Sequence, residues 1–371
     1  MCMGCGAGKP VAAATPEPPK NVRVIEAGGD ELYKASRIIV PLDVPADGKK
    51  PALLLVHGNC TEDGDTRENW EYLQTLGEHL AVELGVVCMI IGMHDDDAKL
   101  DAKYPGWMEK EGLGLVARAI QESTQAMTAG RNAWPAKYYG DAIALAIENL
   151  VRSSDRVGVS IDEERIALVG HSMGGAGVLY AAGVQCKDKI KAVAALNPSH
   201  LAVETPFDGL AEGIQYGKGE KYSGEHGEGT VAHLANITAP CYVYGSRAEY
   251  NTTANEELGG VIALLGTVLD TNVAGCWPEY HCVYRQVGSA TKELYVDDTT
   301  DCGFGYAHNW MKTVAADAKR GGITTFAGGA PISVLLSFLR RHVLDSGEPA
   351  PVKPGNAYKW APAPAVEGVE A

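Results

Sequence analysis

One short segment most constrains what this chain can fold into. Residues 167–176 read Ala-Leu-Val-Gly-His-Ser-Met-Gly-Gly-Ala, which is an apolar strand, a G-x-S-x-G motif and then small residues able to begin a helix. In that context the motif predicts a sharp strand-to-helix turn that exposes the Ser172 hydroxyl. Gly170 and Gly174 stand where side chains would collide across such a turn. Ser172 is therefore a candidate nucleophile, and the alternative is a serine that only caps the helix.

The composition is that of a globular protein with an acidic surface. The 371 residues are 46% hydrophobic and 21% charged, enough for one large α/β domain or two small ones. The net charge is −15, and no cluster of Lys and Arg is present, so we expect no nucleic-acid partner and no docking on anionic lipid. No apolar run approaches the roughly 18 residues of a transmembrane segment. The composition favours a neutral or weakly polar small-molecule substrate, and it leaves the oligomeric state open.

The N-terminal sequence and the cysteines bear on the compartment. The first six residues, Met-Cys-Met-Gly-Cys-Gly, lack the basic start and apolar stretch of a secretory signal. We therefore expect the cytoplasm or an organelle lumen, with secretion possible if a signal has been removed. Of nine cysteines, Cys276, Cys282 and Cys302 could form a disulfide in an oxidising compartment. Three others lie in apolar segments and are expected to be free buried thiols: Cys88, Cys186 and Cys241.

Short apolar runs alternate with helical patterns along the chain, which predicts a doubly wound, mostly parallel sheet with helices on both faces. Strands are predicted over residues 52–56, 86–91, 165–169, 190–196, 241–244 and 292–296. Apolar residues at helical spacing predict helices over 66–84, 139–151 and 331–343. We expect one domain over 21–345, between disordered tails at 1–20 and 346–371 that are rich in Ala and Pro.

Two insertions, 94–138 and 197–236, follow predicted strands at their carboxyl ends, where ligands bind in open α/β sheets. Both are candidate lid or rim segments. Residues 110–127 look helical within the first insertion and place Leu113, Val116, Ile120 and Met127 near one face. That face could narrow the site around an apolar group, or the helix could pack far from it.

An activated serine needs a base, and the base needs an acid to orient it. In the chain order Ser, acid, His, the base should follow the last predicted strand, and His308 does so at the start of a helical stretch. His281 is the rival, and a surface histidine is the alternative to both. Glu249 is the only carboxylate in the turn after strand 241–244. The other candidate acids are Asp270, Asp297 and Asp298, and Glu249 could instead only favour a helix N-terminus.

An oxyanion hole needs two backbone N–H donors. The first candidate is Met173, directly after the nucleophile, and the second is Asn59, since Gly58 before it permits close backbone approach. His57 and His171 flank these turns and are expected to be packed, hydrogen-bonded supports rather than catalysts. We expect no metal and no cofactor, because the acidic run at residues 95–97 lacks further carboxylates at ligand spacing.

These motifs resemble the α/β-hydrolase superfamily over about residues 50–345. The elbow at 170–175, the Leu-Asn-Pro strand end at 196–198 and the run at 237–240 are similar to bacterial cutinases and polyester hydrolases, and chlorophyllase-like esterases share the layout. The chain differs in having Glu249 rather than Asp, a long 94–138 insertion, and Asn309 and Trp310 after the histidine.

The resemblance implies the α/β-hydrolase fold and a serine esterase that cleaves carboxylic esters through an acyl-enzyme. Ser172, His308 and Glu249 would form the triad, and Met173 and Asn59 the oxyanion hole. Gly58, His171 and Trp310 are expected to contact a small-molecule or lipid-like ester. The alternatives are a thioesterase, lactonase or peptidase with the same triad, and a binding protein of this fold without catalytic activity.

Overall fold

A central β-sheet organises the computed structural model of the chain. The structure describes residues 21–43, 48–58, 66–93, 102–103, 136–198, 232–246, 283–284, 286–297, 330–349 and 358–361. The N-terminal tail at 1–20, the predicted helix at 110–127 and most of both insertions lie outside the described residues.

The described strands are β1 (Val22–Glu26), β2 (Tyr33–Pro41), β3 (Lys50–Val56), β4 (Val87–Met93), β5 (Ile161–His171), β6 (Ala192–Leu196), β7 (Cys241–Ser246), β8 (Lys292–Asp297) and β9 (Tyr358–Ala361). In the described part of the chain they form one sheet in the order β1-β2-β4-β3-β5-β6-β7-β8-β9. The six central strands, in the order β4-β3-β5-β6-β7-β8, pair in parallel with one another. β1, β2 and β9 pair antiparallel at the two edges. The sheet is therefore mostly parallel, as predicted.

Helices cover both faces of the sheet. They are α1 (Thr66–Leu84), α2 (Ala136–Arg152), α3 (Ser154–Val157), α4 (Met173–Gly183), α5 (Ala232–Ala235) and α6 (Ala330–His342). Alternate residues of β3 separate into two apolar clusters because successive side chains of a strand point to opposite faces. Leu54 and Val56 pack with α2 and α4, whereas Leu53 and Leu55 pack with α1 and α6. Burial on both faces explains why β3 reads as an uninterrupted apolar run.

Local patterns locate most of these elements well. The helix predicted over 66–84 is observed with the same bounds. α2 begins at Ala136 rather than at residue 139, and α6 begins one residue earlier than predicted. β5 continues to His171 and β7 includes Gly245 and Ser246, which were predicted to lie in the turn. Pairing with parallel neighbours extends these strands toward the carboxyl edge of the sheet, beyond the point where the apolar pattern in the sequence ends.

The edge strands were not predicted. Only Val22 of β1 is buried, and β2 is mostly polar before its buried second half, so neither gives the uninterrupted apolar run of a central strand. β9 lies within the C-terminal tail, and the prediction of disorder is wrong for its four residues. β9 pairs with β8, from Leu294 opposite Ala361 to Asp297 opposite Tyr358. A strand added to an existing edge needs backbone hydrogen bonds rather than an apolar core of its own.

Cys88, Cys186 and Cys241 are free and buried, as predicted, and burial raises the pKa of the Cys186 thiol to about 11.

Within the described ranges, none of the helices has the length and apolar character needed to cross a membrane.

A buried ion pair joins β8 to α6. The Arg341 guanidinium donates to Glu293 Oε2 at 2.8 Å, and His342 Nε2 lies 3.2 Å from Oε1 of the same carboxylate. The Arg341 and Glu293 side chains are 10% and 9% exposed. Burial alone would raise the pKa of the Glu293 carboxyl, but hydrogen bonds from His342 and Arg341 outweigh it and hold the pKa below its ordinary value.

We predict that Glu293→Gln lowers the free energy of unfolding at pH 7 by about 3 kcal/mol, because it leaves a buried guanidinium without its counter-charge. The carboxyl pKa is lower in the folded than in the unfolded state. Its contribution is therefore complete above the unfolded pKa and is lost as pH falls through the folded pKa. Urea unfolding at several pH values should show the difference between wild type and variant shrinking as pH falls below the ordinary Glu value.

The exposed ion pair of Glu148 and Arg152 on α2 gives the matched control. Glu148→Gln should cost at most about 0.5 kcal/mol at any pH. A Glu293→Gln variant as stable as this control at pH 7 would contradict the prediction.

Candidate active site

Ser172 occupies the turn between β5 and α4 in a strained backbone conformation. Its φ is 57° and its ψ is −123°, a combination that residues other than glycine rarely adopt. Such a residue costs about 1–3 kcal/mol and persists only where its surroundings enforce it. The Ser172 N–H donates to the Leu196 carbonyl at 2.9 Å, and its own carbonyl accepts from Ala176 N–H at 3.1 Å. The strained strand-to-helix turn predicted from the motif is therefore present.

The two motif glycines are required by backbone contacts. A Cβ atom on Gly170 would lie 2.2 Å from the Gly174 carbonyl oxygen, so a collision across the turn occurs as predicted. The constraint on Gly174 is different, because its Cβ would lie 2.3 Å from the Val56 oxygen and 2.4 Å from the His57 oxygen. The first turn of α4 thus packs directly on the carboxyl end of β3. No side chain fits at either glycine without moving that backbone.

Gly58 brings the segment after β3 against the Ser172 side chain. A Cβ atom at Gly58 would lie 2.6 Å from Ser172 Cβ and 3.1 Å from Ser172 Oγ. The close backbone approach predicted at Gly58 is therefore confirmed. The backbone of Gly58 therefore lies beside the Ser172 side chain.

His57 is a buried, neutral support beside Gly58. It has no exposed surface, its Nε2 accepts from the Met93 N–H at 3.0 Å, and its Nδ1 lies 2.6 Å from the Gly58 carbonyl oxygen. Burial lowers the pKa of the imidazole to about 4, with the Gly58 hydrogen bond opposing that shift and Lys34 adding to it. The expectation that His57 is packed and hydrogen-bonded is confirmed. Its contact with Met93 was not anticipated, since no local signal links the two positions.

Met173 and His171 stand on either side of Ser172 in the chain. Met173 is the first residue of α4, so its backbone N–H belongs to a helix N-terminus, where the helix dipole favours negative charge. His171 ends β5 opposite Leu196 of β6 and is buried, as is Ser172, which is 5% exposed. A contact of His171 with substrate remains a prediction.

The strands predicted to carry the acid and the base end at the same edge of the sheet as β5. His171 pairs with Leu196, Leu196 with Tyr244, and Ser246 with Asp297. Neighbouring strands lie about 4.8 Å apart, so the ends of β7 and β8 are roughly 10 and 14 Å from that of β5. In the sequence, Glu249 and His308 follow these two strands. A few extended residues at about 3.3 Å each suffice to span such gaps.

Several predicted site residues lie outside the described part of the chain. They are Asn59, Glu249, His308 and Trp310, together with the rival base His281 and the alternative acids Asp270 and Asp298. The structure thus brings Ser172, Gly58 and the Met173 backbone together. The roles of the other residues stay predictions.

Two further histidines are placed away from Ser172. His342 lies in α6 and bonds Glu293, and His233 lies in α5 with its carbonyl oxygen against Gly183 at the far end of α4. Neither lies in the segment after β8, where the base is predicted. Among the described residues, no group of three or more His, Cys, Asp or Glu is arranged to hold a metal ion. The acidic run at 95–97 lies outside those residues.

A comparison with models of known protein families gives a match. The family model described as the alpha/beta hydrolase fold matches residues 51–219. That stretch begins in β3, includes the turn at Ser172 and ends before β7. No curated protein matched the chain. The match therefore includes Gly58 and Ser172, and it ends before Glu249 and His308.

We predict that Gly58→Ala sharply reduces the reactivity of Ser172, because the added Cβ would overlap the serine side chain at 2.6 Å. Labelling by a fluorophosphonate, which phosphonylates activated serines, should slow by at least about tenfold, in line with the large rate losses caused by small misplacements at a reacting centre.

Gly77→Ala on α1 is the control. Its Cβ would lie 2.9 Å from the end of the Ile39 side chain and at ordinary contact distance from the ends of Leu55 and Ile90. Labelling of this variant should stay within about twofold of wild type, since a shift of a flexible side chain end leaves the active-site backbone in place. Wild-type labelling of folded Gly58→Ala would contradict the contact.

Proposed function

We propose that this chain, which has the α/β-hydrolase fold, is a serine hydrolase that cleaves carboxylic esters through an acyl-enzyme intermediate. The observation that carries the proposal is the strained Ser172 with the Gly58 backbone packed against its hydroxyl. A conformation that costs free energy is expected where function requires it. The fold by itself hosts many chemistries, so the argument rests on this site.

Acylation begins when Ser172 Oγ attacks the ester carbonyl carbon and His308 accepts the hydroxyl proton. The carbonyl oxygen becomes an oxyanion, held by the backbone N–H groups of Met173 and Asn59. Collapse of the tetrahedral intermediate breaks the ester C–O bond, and His308 donates its proton to the leaving alcohol. The products of this step are the free alcohol and an acyl group on Ser172.

Deacylation repeats the sequence with water. His308 removes a proton from a water molecule that attacks the acyl carbonyl, and the same donors hold the second oxyanion. The Ser172 oxygen leaves and regains its proton from His308, releasing the carboxylic acid. Glu249 accepts a hydrogen bond from the imidazole and stabilises its positive charge. This cycle needs no metal or cofactor.

The strand order supports this assignment of roles. Ser172, Glu249 and His308 follow β5, β7 and β8, which are parallel and end at one edge. Within the superfamily, the similarity of the elbow to cutinases, polyester hydrolases and chlorophyllase-like esterases favours a small or lipid-like ester substrate. Gly58, His171 and Trp310 are proposed to contact it.

We predict that Ser172→Ala and His308→Ala each lower kcat for p-nitrophenyl butyrate by about 10⁴-fold or more, because each removes a member of a unit that acts together. Circular dichroism and thermal unfolding should show both variants folded. Fluorophosphonate should label wild type at Ser172 and fail to label Ser172→Ala. A folded wild type that forms no adduct would favour a binding protein over an enzyme.

The acid is tested by comparing two carboxylates. Glu249→Gln should lower kcat by about 10²–10⁴-fold, since the base survives but loses its orienting partner. Asp297→Asn, at the end of β8, is the matched change at an alternative position. It should keep kcat within about threefold of wild type, as expected of a residue outside the triad. The reverse pattern would reassign the acid to Asp297.

A further inference from the structure

We infer that Asn197, the residue after β6, is a positioning residue whose left-handed backbone keeps the Ser172 backbone in place. Its φ is 46°, and in the described part of the chain the other residues with positive φ that are not glycine are Ser172 and Asp345. The inference rests on the proposed function, because it concerns the placement of the proposed nucleophile. It assigns the role to the backbone of Asn197 and not to its side-chain amide.

The peptide group between Leu196 and Asn197 links Ser172 to β7. Its carbonyl oxygen, on Leu196, accepts from the Ser172 N–H at 2.9 Å, and its N–H, on Asn197, donates to the Tyr244 carbonyl at 2.8 Å. A trans peptide group is planar, and its C=O and N–H point to opposite sides. Rotation of this one plane would therefore weaken both hydrogen bonds together. The bond to the strained Ser172 thus depends on the orientation of the plane.

The residue after Asn197 packs against the helix that begins after Ser172. A Cβ atom on Gly175, in the first turn of α4, would lie 3.0 Å from Pro198 Cα and 3.2 Å from the Leu196 oxygen. Pro198 is buried at this position. The chain that leaves β6 therefore passes directly over the first turn of α4.

Asn197 connects the peptide group that binds Ser172 to the proline that packs on α4. Its φ is the rotation between that peptide plane and the chain that continues to Pro198. A residue that favours negative φ must either rotate the plane or move Pro198 away from α4. Rotation of the plane would weaken the bond to the Ser172 N–H. The left-handed φ at residue 197 is therefore what allows both contacts to exist together.

The backbone of Asn197 adopts this conformation against two preferences. Most L-residues disfavour the left-handed region, although Asn is among the few that visit it. A following proline also pushes the residue before it toward extended backbone. Strain of this kind persists where the surrounding structure enforces it, and it is concentrated at functional sites. Asn197 shares this feature with Ser172, the residue that it contacts through the Leu196 peptide.

Three substitutions separate the backbone of Asn197 from its side chain. Asn197→Gly and Asn197→Ala both remove the amide, and the two variants differ by one methyl group. Glycine adopts positive φ without steric cost, whereas alanine does so only with strain. Asn197→Val increases the strain further, because a β-branched residue with positive φ is an outlier. Activity should therefore follow the tolerance for positive φ.

The readouts are the rate of fluorophosphonate labelling at Ser172 and the kcat and KM for p-nitrophenyl butyrate. We expect Asn197→Ala to lower kcat and labelling about tenfold and Asn197→Val about 10²-fold, since misplacement of a reacting group costs rate. KM should change by less than about threefold, because the substrate contacts remain. Asn197→Gly should stay within about threefold of wild type in kcat and labelling, since it keeps the backbone conformation. Its melting temperature should still fall somewhat, because glycine makes the unfolded chain more flexible.

Asp345 provides the matched control for strain away from the site. Its φ is 51°, and its exposed side chain forms an ion pair with Lys191 beyond the C-terminal end of α6. Asp345→Gly and Asp345→Ala both lose that ion pair, and only the second retains strain. The alanine variant should melt at a lower temperature than the glycine variant. Both should keep kcat and labelling within about twofold of wild type, because strain at this position does not reach Ser172.

Two results would overturn the inference. A fall in Asn197→Gly as large as that in Asn197→Ala would assign the role to the side chain. Wild-type kcat and labelling in folded Asn197→Ala and Asn197→Val would leave the strain without effect on Ser172. If neither of these two variants folds, Asn197→Gly decides, since a retained kcat supports the role of the backbone and a tenfold loss refutes it.

The proposed function fails by a different result, the absence of ester hydrolysis in wild type. If wild type forms a Ser172 adduct without hydrolysing esters, the labelling rates of the three Asn197 variants still test the inference.

Discussion

Three stretches of backbone meet at the carboxyl end of β3, and the rest of the site depends on that contact. The first turn of α4 reaches the Val56 and His57 carbonyl oxygens only because Gly174 has no side chain. The same approach places Gly58 against Ser172. The strained conformation of Ser172 costs about 1–3 kcal/mol. Two backbone hydrogen bonds of Ser172, each contributing about 1 kcal/mol, offset much of that cost.

The local balance explains why the turn needs the whole sheet. Since strain and hydrogen bonds nearly cancel, the conformation persists because β5 and α4 are held by burial. Leu168 of β5 and Val178 of α4 belong to the same apolar cluster, and neither of these two residues has exposed surface. The strained conformation of Ser172 is therefore maintained by apolar contacts remote from its hydroxyl. Substitutions in that cluster would act on the site through the turn, without touching it.

The sequence predicted the features that depend on neighbours in the chain. The glycines of the motif, the helix at 66–84 and the apolar parallel strands all follow from local pattern and were found. What it could not predict depends on which strands become neighbours. His57 meets Met93 because β4 lies beside β3, and Gly174 meets Val56 because α4 crosses the end of β3. β9 was missed for a similar reason, since its partner is an edge formed by distant residues.

Three buried ionisable groups differ in how burial and their hydrogen-bond partners shift their pKa. Near Ser172, His57 is kept neutral by burial and is used for its directional hydrogen bonds. Between β8 and α6, Glu293 is kept charged by Arg341 and His342. Glu78 on α1 is a third case, since burial raises its pKa despite a hydrogen bond from Gln74. In each case the balance between burial and the hydrogen-bond partners of the group determines the direction of the pKa shift.

The Glu293 cluster also bears on the segment proposed to carry the base. Residues 298–329 join the carboxyl end of β8 to the amino end of α6. Glu293 lies near the opposite end of β8, and Arg341 and His342 lie at the opposite end of α6. The ion pair therefore fixes the position of β8 relative to α6 from the end remote from the site. The segment proposed to carry His308 therefore starts and ends on two elements that a buried ion pair joins at their other ends.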